Sequence, residues 1–186
     1  GETCRFMDAF LIDRELLLKF MEWYEAMAYL DLMEIIRENL DKLPVYGYEF
    51  QGYMRAIDSA ADYMAASMEL LEPQVMKELF LGERIIRTKI QDAAPVKYSA
   101  GARVRNSIIA TGSIIKGTVE NSIIFRGCTV EEGAVVRNSV VMPKSAVARD
   151  VEIENVICDK YVTIGDGARL FGSAAKPLIV TRKQYS

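Results

Sequence analysis

From residue 97 onward the apolar positions recur with a long period. Beginning at Val104, a first column continues through Val119, Val136, Ile153 and Leu170, at intervals of 15, 17, 17 and 17 residues. A second runs Ile109, Ile124, Val141, Cys158, and a third Ile115, Val130, Val147, Ile164, both at intervals of 15, 17 and 17. Twelve of these thirteen positions are Val, Ile or Leu. Three inward columns per repeat predict a triangular coil of three short strands, a parallel β-helix of degenerate hexapeptides. Asn106, Asn121, Asn138 and Asn155 form a fourth column, most of them followed by Ser. Asn tolerates the left-handed backbone that a sharp corner requires, so Asn-Ser is expected to turn the corner before each second-column strand. Beside the columns lie outward apolar residues, Ile108, Ile114, Ile123 and Val140. Stacked from coil to coil, Ile108, Ile123 and Val140 make an outer stripe that either the N-terminal half or another subunit should cover.

Residues 1–92 follow different periods. The run "MDAFLI" (7–12) predicts a buried strand and "VYGYEF" (45–50) a second. Asp13 should cap a helix whose apolar face is Leu16, Phe20, Tyr24 and Met27. Asp31 and Glu34 form a capping-box pattern ahead of Leu32, Ile35, Ile36 and Leu40. Asp58 is expected to cap a third helix reaching Glu72, with Pro73 ending it and opening a short fourth. "KIQDAAPVKY" (89–98) is the expected linker, which divides the chain into domains 1–92 and 93–186.

Composition narrows the function. Net charge is −3 with no long basic run, which argues against nucleic acid as partner. No apolar run is long enough to span a membrane, and no signal peptide opens the sequence. Cys4, Cys128 and Cys158 are scattered and odd in number, with no CxxC, so a reducing cytoplasm is the expected setting and neither disulfide framework nor zinc site is expected. Histidine is absent, which removes the commonest neutral-pH base and metal ligand.

The segments "MDAFLI", "YGYEFQGYMRAIDSAADYMAASMELL", "PVKYSAGARVRNSIIATGSIIKGTVENSIIFRG" and "VICDKYVTIGDG" together resemble the C-terminal part of the glucose-1-phosphate adenylyltransferase family, and within it the GlgD-type subunit of bacterial glycogen synthesis. The resemblance implies the α+β tail of a nucleotidyltransferase domain followed by a left-handed parallel β-helix. It also implies a parent activity, transfer of AMP from ATP to glucose 1-phosphate with Mg²⁺ and release of pyrophosphate. Such chemistry needs a Gly-rich loop for the triphosphate and carboxylates for the metal. The only Gly-x-Gly here is Gly165–Gly167, within a repeat, where a turn is the expected role. Catalytic members carry Trp-Arg-Asp-Val-Gly-Thr, whose Asp binds the metal. The matching "MRAIDS" (54–59) keeps Arg55 but has Ala56 at the Asp position. The family's sugar-contacting Ser aligns with Phe6, and of its His-Asp-Phe-Gly only Asp31 is kept. No catalytic residue, metal site or cofactor is therefore expected in this chain; Mg²⁺ is expected only in complete catalytic members.

The resemblance further implies an anionic small-molecule effector. A family lysine in Asp-Lys-x-x-x-Ile-Gly corresponds to Lys160, beside Asp159, and the later "TRK" supplies Arg182 and Lys183. The expected partners are identical copies or a catalytic adenylyltransferase subunit. A start at "GETCRFMDAF" is read as mid-domain, hence as an excised piece. Two other readings compete. A hexapeptide-repeat acyltransferase would share the β-helix, but typically needs a histidine base. A pure oligomerisation module would need only the columns.

Overall fold

The computed structural model describes residues 6, 7, 9–23, 32–82, 86 and 92–182. The chain divides into two compact units, 1–51 and 52–186.

The second unit is dominated by a parallel β-solenoid of three five-stranded faces. Face I stacks Lys97–Tyr98, Ile114–Ile115, Thr129–Val130, Ala146–Val147 and Thr163–Ile164. Face II stacks Arg103–Arg105, Thr118–Glu120, Val135–Arg137, Glu152–Glu154 and Arg169–Phe171. Face III stacks Ile108–Ile109, Ile123–Ile124, Val140–Val141, Val156–Cys158 and Leu178–Val180. Every pairing is parallel, and the residues of each column meet in register: Val104, Val119, Val136, Ile153 and Leu170 on face II; Ile109, Ile124, Val141 and Cys158 on face III; Ile115, Val130, Val147 and Ile164 on face I. The middle of the prism is closed to solvent. At its ends Ile109 and Leu170 are half-buried and Val104 is exposed, because a terminal coil has a neighbour on one side only.

Two features extend the strand stacking beyond the expected columns. Lys97–Tyr98 already pairs with Ile114–Ile115, so the first coil begins inside the stretch expected to be linker. "PLIVTR" (177–182) supplies the fifth strand of face III and places Val180, wholly buried, above Cys158. The interval there is 22 residues because 172–177 bulge outward in a loop pinned by a Ser173–Lys176 bridge.

The corner residues account for the repeated Asn-Ser. Asn106, Asn121, Asn138 and Asn155 have φ of 44°, 44°, 45° and 52°, the left-handed region. The hydroxyls of Ser107, Ser122 and Ser139 donate to the carbonyl two residues back, at 2.8, 2.7 and 2.5 Å. Each also accepts the N–H of the coil above, from Ser122, Ser139 and Val156 at 3.1 Å. A small hydroxyl thus satisfies an amide that the tight turn would otherwise orphan, and shares its acceptor carbonyl with the Asn N–H of the next coil.

Two helices precede the solenoid in the same unit. Helix α3 (Ala60–Glu69) starts at Ser59, whose side chain accepts the Asp62 N–H at 3.1 Å. Asp58, expected as the cap, lies one residue outside. Helix α4 (Pro73–Phe80) has Pro at its first turn, where the missing N–H breaks no helical bond. The expected single helix to Glu72 therefore stops at Glu69. Met64 of α3 packs onto Val140 and Ile157 of face III, flanked by Ala60, Tyr63, Met68 and Met142. The outer apolar stripe thus continues through Ile157, and a helix of the same chain covers its Val140–Ile157 part.

The first unit contains α1 (Arg14–Trp23) and α2 (Leu32–Glu38). The Asp13 carboxylate accepts the N–H groups of Glu15 and Leu16 at 2.9 and 3.2 Å, the expected cap. Phe20 and Ile35 are buried; Tyr24, Met27 and Asp31 lie outside the described residues. The strands expected at 7–12 and 45–50 do not form among the described residues, and Met7, Phe10, Leu11, Tyr46 and Tyr48 are exposed. A strand needs a neighbour to take its backbone bonds. All fifteen described strands lie between Lys97 and Val180 and bond one another. No described helix is long and apolar enough to cross a membrane.

Candidate functional site

Two places bear on function: the corner where face III turns into face I, and the segment 53–57 that carries Arg55 and Ala56.

At the corner, the register of Cys158 with Val180 decides the geometry. The Asp159 N–H donates to the Val180 carbonyl at 2.9 Å, so Lys160 and Arg182 leave the last two strands of face III side by side. Both are exposed, and neither forms an ion pair among the described residues. Lys183 lies outside those residues. The Asp159 carboxylate accepts the Lys160 N–H at 2.7 Å, and its carbonyl accepts the Ser145 hydroxyl at 2.8 Å. Asp159 thus shapes the turn, and Lys160 and Arg182 supply the charge. One coil back, Lys144 Nζ lies 5.4 Å from the centre of the Tyr161 ring. Lys144 and Tyr161 have φ of 60° and 61° in a corner where preceding coils have Gly112 and Gly127. These two residues went unpredicted, since nothing local announces a bulky residue in a left-handed turn. The arrangement can hold an anion against two cations with an aromatic ring beside them.

The segment 53–57 is tied to α3. Arg55 Nε donates to Glu69 Oε2 at 2.9 Å, a second guanidinium nitrogen pairs with Glu69 Oε1, and the Tyr53 hydroxyl donates to Glu69 Oε2 at 2.8 Å. The bonds from Arg55 hold the Glu69 carboxyl down at about 2, with burial opposing and Tyr53 assisting. The same pairing raises the Arg55 guanidinium. Arg55 is therefore a clamp on the protein's own helix. Ala56 beside it has no oxygen for a cation, so this position does not fit the metal that catalytic relatives are expected to bind. No cluster of three Asp, Glu, Cys or His suited to a metal occurs among the described residues. Between this segment, the two helices and face III runs an apolar groove lined by Met54, Ile57, Tyr63, Leu70, Phe80 and Ile123 among others.

Cys128 and Cys158 are free and buried. Burial raises both thiols, Cys158 to about 12, so neither is a thiolate nucleophile at neutral pH. Cys128 instead donates to the Met142 carbonyl at 3.2 Å, where Ser113 and Ser145 in adjacent coils use hydroxyls for the same bond.

Residues 93–175 match the family model described as GlmU-like, C-terminal hexapeptide. The glycogen biosynthesis protein GlgD of Bacillus subtilis is 32% identical over 95% of this chain and 51% of its own length. GlgD of Geobacillus stearothermophilus is 38% identical over 71% of the chain and 38% of its length. A glucose-1-phosphate adenylyltransferase of Fervidobacterium nodosum is 36% identical over 73% of the chain and 33% of its length. The chain spans about half the length, or less, of these curated relatives. A solenoid with this register, preceded by helices and matched on both sides of residue 93, makes the chain homologous to the GlgD and glucose-1-phosphate adenylyltransferase proteins at moderate identity.

Proposed function

We propose that the chain is the regulatory and assembly portion of a glucose-1-phosphate adenylyltransferase of the non-catalytic GlgD type, acting in ADP-glucose supply for glycogen. Ala56 carries this reading: where the resemblance places a metal-binding Asp, this chain offers a methyl group, and the neighbouring arginine is committed to Glu69. The solenoid holds subunits together, as identical copies or with a catalytic partner. Lys160 and Arg182, brought side by side and without ion pairs among the described residues, receive an anionic effector.

The test has two arms. The chain alone, given ATP, glucose 1-phosphate and Mg²⁺, is expected to release no pyrophosphate above a protein-free control; clear turnover would overturn the non-catalytic reading. Added to a full-length catalytic adenylyltransferase, it is expected to co-sediment and to alter the enzyme's response to phosphorylated sugars. Lys160→Glu is expected to abolish that altered response. A response unchanged by Lys160→Glu would remove the effector role.

A further inference from the structure

Face I stacks five two-residue strands. Its central outward residues are Lys97, Ile114, Thr129, Ala146 and Thr163, one per coil; Lys97, Ile114 and Thr163 are exposed and the other two half-buried. The charges on its two borders are sorted by sign. In three successive coils a cation precedes the face I strand and an acid follows it six residues later: Arg126 and Glu132, Lys144 and Asp150, Lys160 and Asp166. The backbone stacks the first two coils of each border directly; in the third the Tyr161 N–H donates to the Pro143 carbonyl and the Gly167 N–H to the Arg149 carbonyl, so Lys160 and Asp166 sit one residue before the positions of Lys144 and Asp150. The Lys144 N–H donates to the Arg126 carbonyl at 3.0 Å, and the Asp150 N–H to the Glu132 carbonyl at 3.2 Å. Arg126 is half-buried and the other five are exposed. None of the six has an ion-pair partner among the described residues.

Face II behaves differently. There Arg105, Glu120, Arg137 and Glu152 pair from coil to coil at 3.5, 3.3 and 3.1 Å, cancelling their own charge. Neither border of face I is pure. Asp159 lies on the basic side, where it bonds the Lys160 N–H. Arg149 lies on the acidic side, where its N–H donates to Asp166 at 3.0 Å; Glu131 there is neutralised by Lys116 at 2.8 Å. The excess still has opposite sign on the two borders.

We propose that face I is a self-complementary docking surface whose occupant is face I of a second copy, related by a two-fold axis parallel to the solenoid. This deepens the assembly role proposed above, and it shares Lys160 with the effector reading. The two-fold reverses left and right while keeping height along the prism, so each coil faces its own equivalent. Arg126, Lys144 and Lys160 of one copy then lie against Glu132, Asp150 and Asp166 of the other, and the reverse on the far border. Turning the second solenoid end over end would instead set basic border on basic border. The charge pattern thus selects the parallel arrangement, with charges fixing register and orientation more than affinity. The small side chains of Thr129, Ala146 and Thr163 let the two sheets approach over the last three coils to the usual separation of about 10 Å, which long rim side chains can bridge.

Charge-swap complementation tests this in the 186-residue chain. One variant carries Arg126→Glu and Lys144→Glu; the other carries Glu132→Lys and Asp150→Lys. Each alone opposes like charges at both borders and is expected to raise the dimer dissociation constant about tenfold or more in sedimentation. Mixed, the two variants match at both borders, and their heterodimer is expected to recover wild-type affinity. High salt should weaken the wild-type dimer. Unchanged circular dichroism establishes folding; should one double variant fail to fold, Lys160→Glu with Asp166→Lys replaces the pair. A wild type monomeric at tens of micromolar, swaps without effect, or a mixture that fails to recover would each overturn the proposal. A dimer indifferent to the swaps would leave the assembly role standing on another surface.

Discussion

Residues 45–50 and 108–115 are both rich in aromatic or β-branched side chains, yet one stretch forms no strand and the other forms two. The difference lies in where each finds a partner. In the solenoid the partner of Ile114–Ile115 is fifteen residues away, at Thr129–Val130. Each coil thus offers the next an edge in the right place, and local apolar character becomes buried structure. The tyrosines at 46 and 48 pair with no strand among the described residues and stand exposed. Apolar composition supplies the tendency, and a repeated backbone edge converts it into a fold.

Substituting one apolar residue in each region should break the symmetry most. Ile124→Asp buries a carboxylate at 0% exposure, with Val141 above and Ile109 below and no cation in any column. An unpaired buried charge costs about 3–5 kcal/mol, a large share of a domain's net stability. Calorimetry should find the solenoid transition about 10 °C lower or absent. Leu11→Asp, at a side chain 105% exposed, should shift melting by no more than about 1–2 °C, as surface changes usually stay within about 0.5 kcal/mol. Similar losses from both would contradict the comparison.

A glycine pair sharpens it at intermediate size. A methyl group at Gly117 would meet the Ala134 carbonyl oxygen at 2.4 Å, in the corner of a shortened coil. Gly117→Ala should cost about 1–3 kcal/mol by denaturant titration, because the backbone of the next coil cannot retreat. Gly47 has nothing within 4 Å of the same position. Gly47→Ala should be neutral or stabilise slightly, by up to about 1 kcal/mol, through the unfolded chain.

The smallest effect is expected at the clamp between the two kinds of structure. The Glu69 carboxyl is depressed from an ordinary 4.5 to about 2. A depressed carboxyl adds stability above its unfolded value and loses it as pH falls through the folded one. Solvent at this surface pair keeps the contribution small. Amide protection factors in α3, taken relative to intrinsic exchange, should therefore fall modestly between pH 4.5 and 2 in the native protein, and Glu69→Gln should flatten that fall.

How much of this was legible follows the same division. The columns could be read because intervals of 15 and 17 residues are themselves the fold. Val180 escaped because the 172–177 loop stretches the interval to 22, and Ile157 because its coil breaks the Asn-Ser pattern with Asn155–Val156. Asp58 and Ser59 are both capping residue types. Only Ser59 has an acid three residues on, Asp62, and that spacing marked the true cap. The expected strands at 7–12 and 45–50 failed because a strand is a property of two segments, and only one was being read. Of the candidate site, Lys160 and Arg182 could be named from resemblance. Their adjacency depends on the Cys158–Val180 register, and the neighbouring Lys144 and Tyr161 on a backbone conformation that their side chains do not advertise.

Residue-resolved hydrogen exchange in the 186-residue chain tests most directly the claim that coil-to-coil stacking makes the fold. The amides of Ile123, Thr129, Val135 and Ala146 donate to the next coil at 2.8–3.1 Å. They should exchange only through global unfolding, at one shared free energy. The amides of Tyr46, Tyr48 and Phe50 should exchange several orders of magnitude faster. Equal protection in 46–50, or separate exchange of individual inner coils, would contradict it.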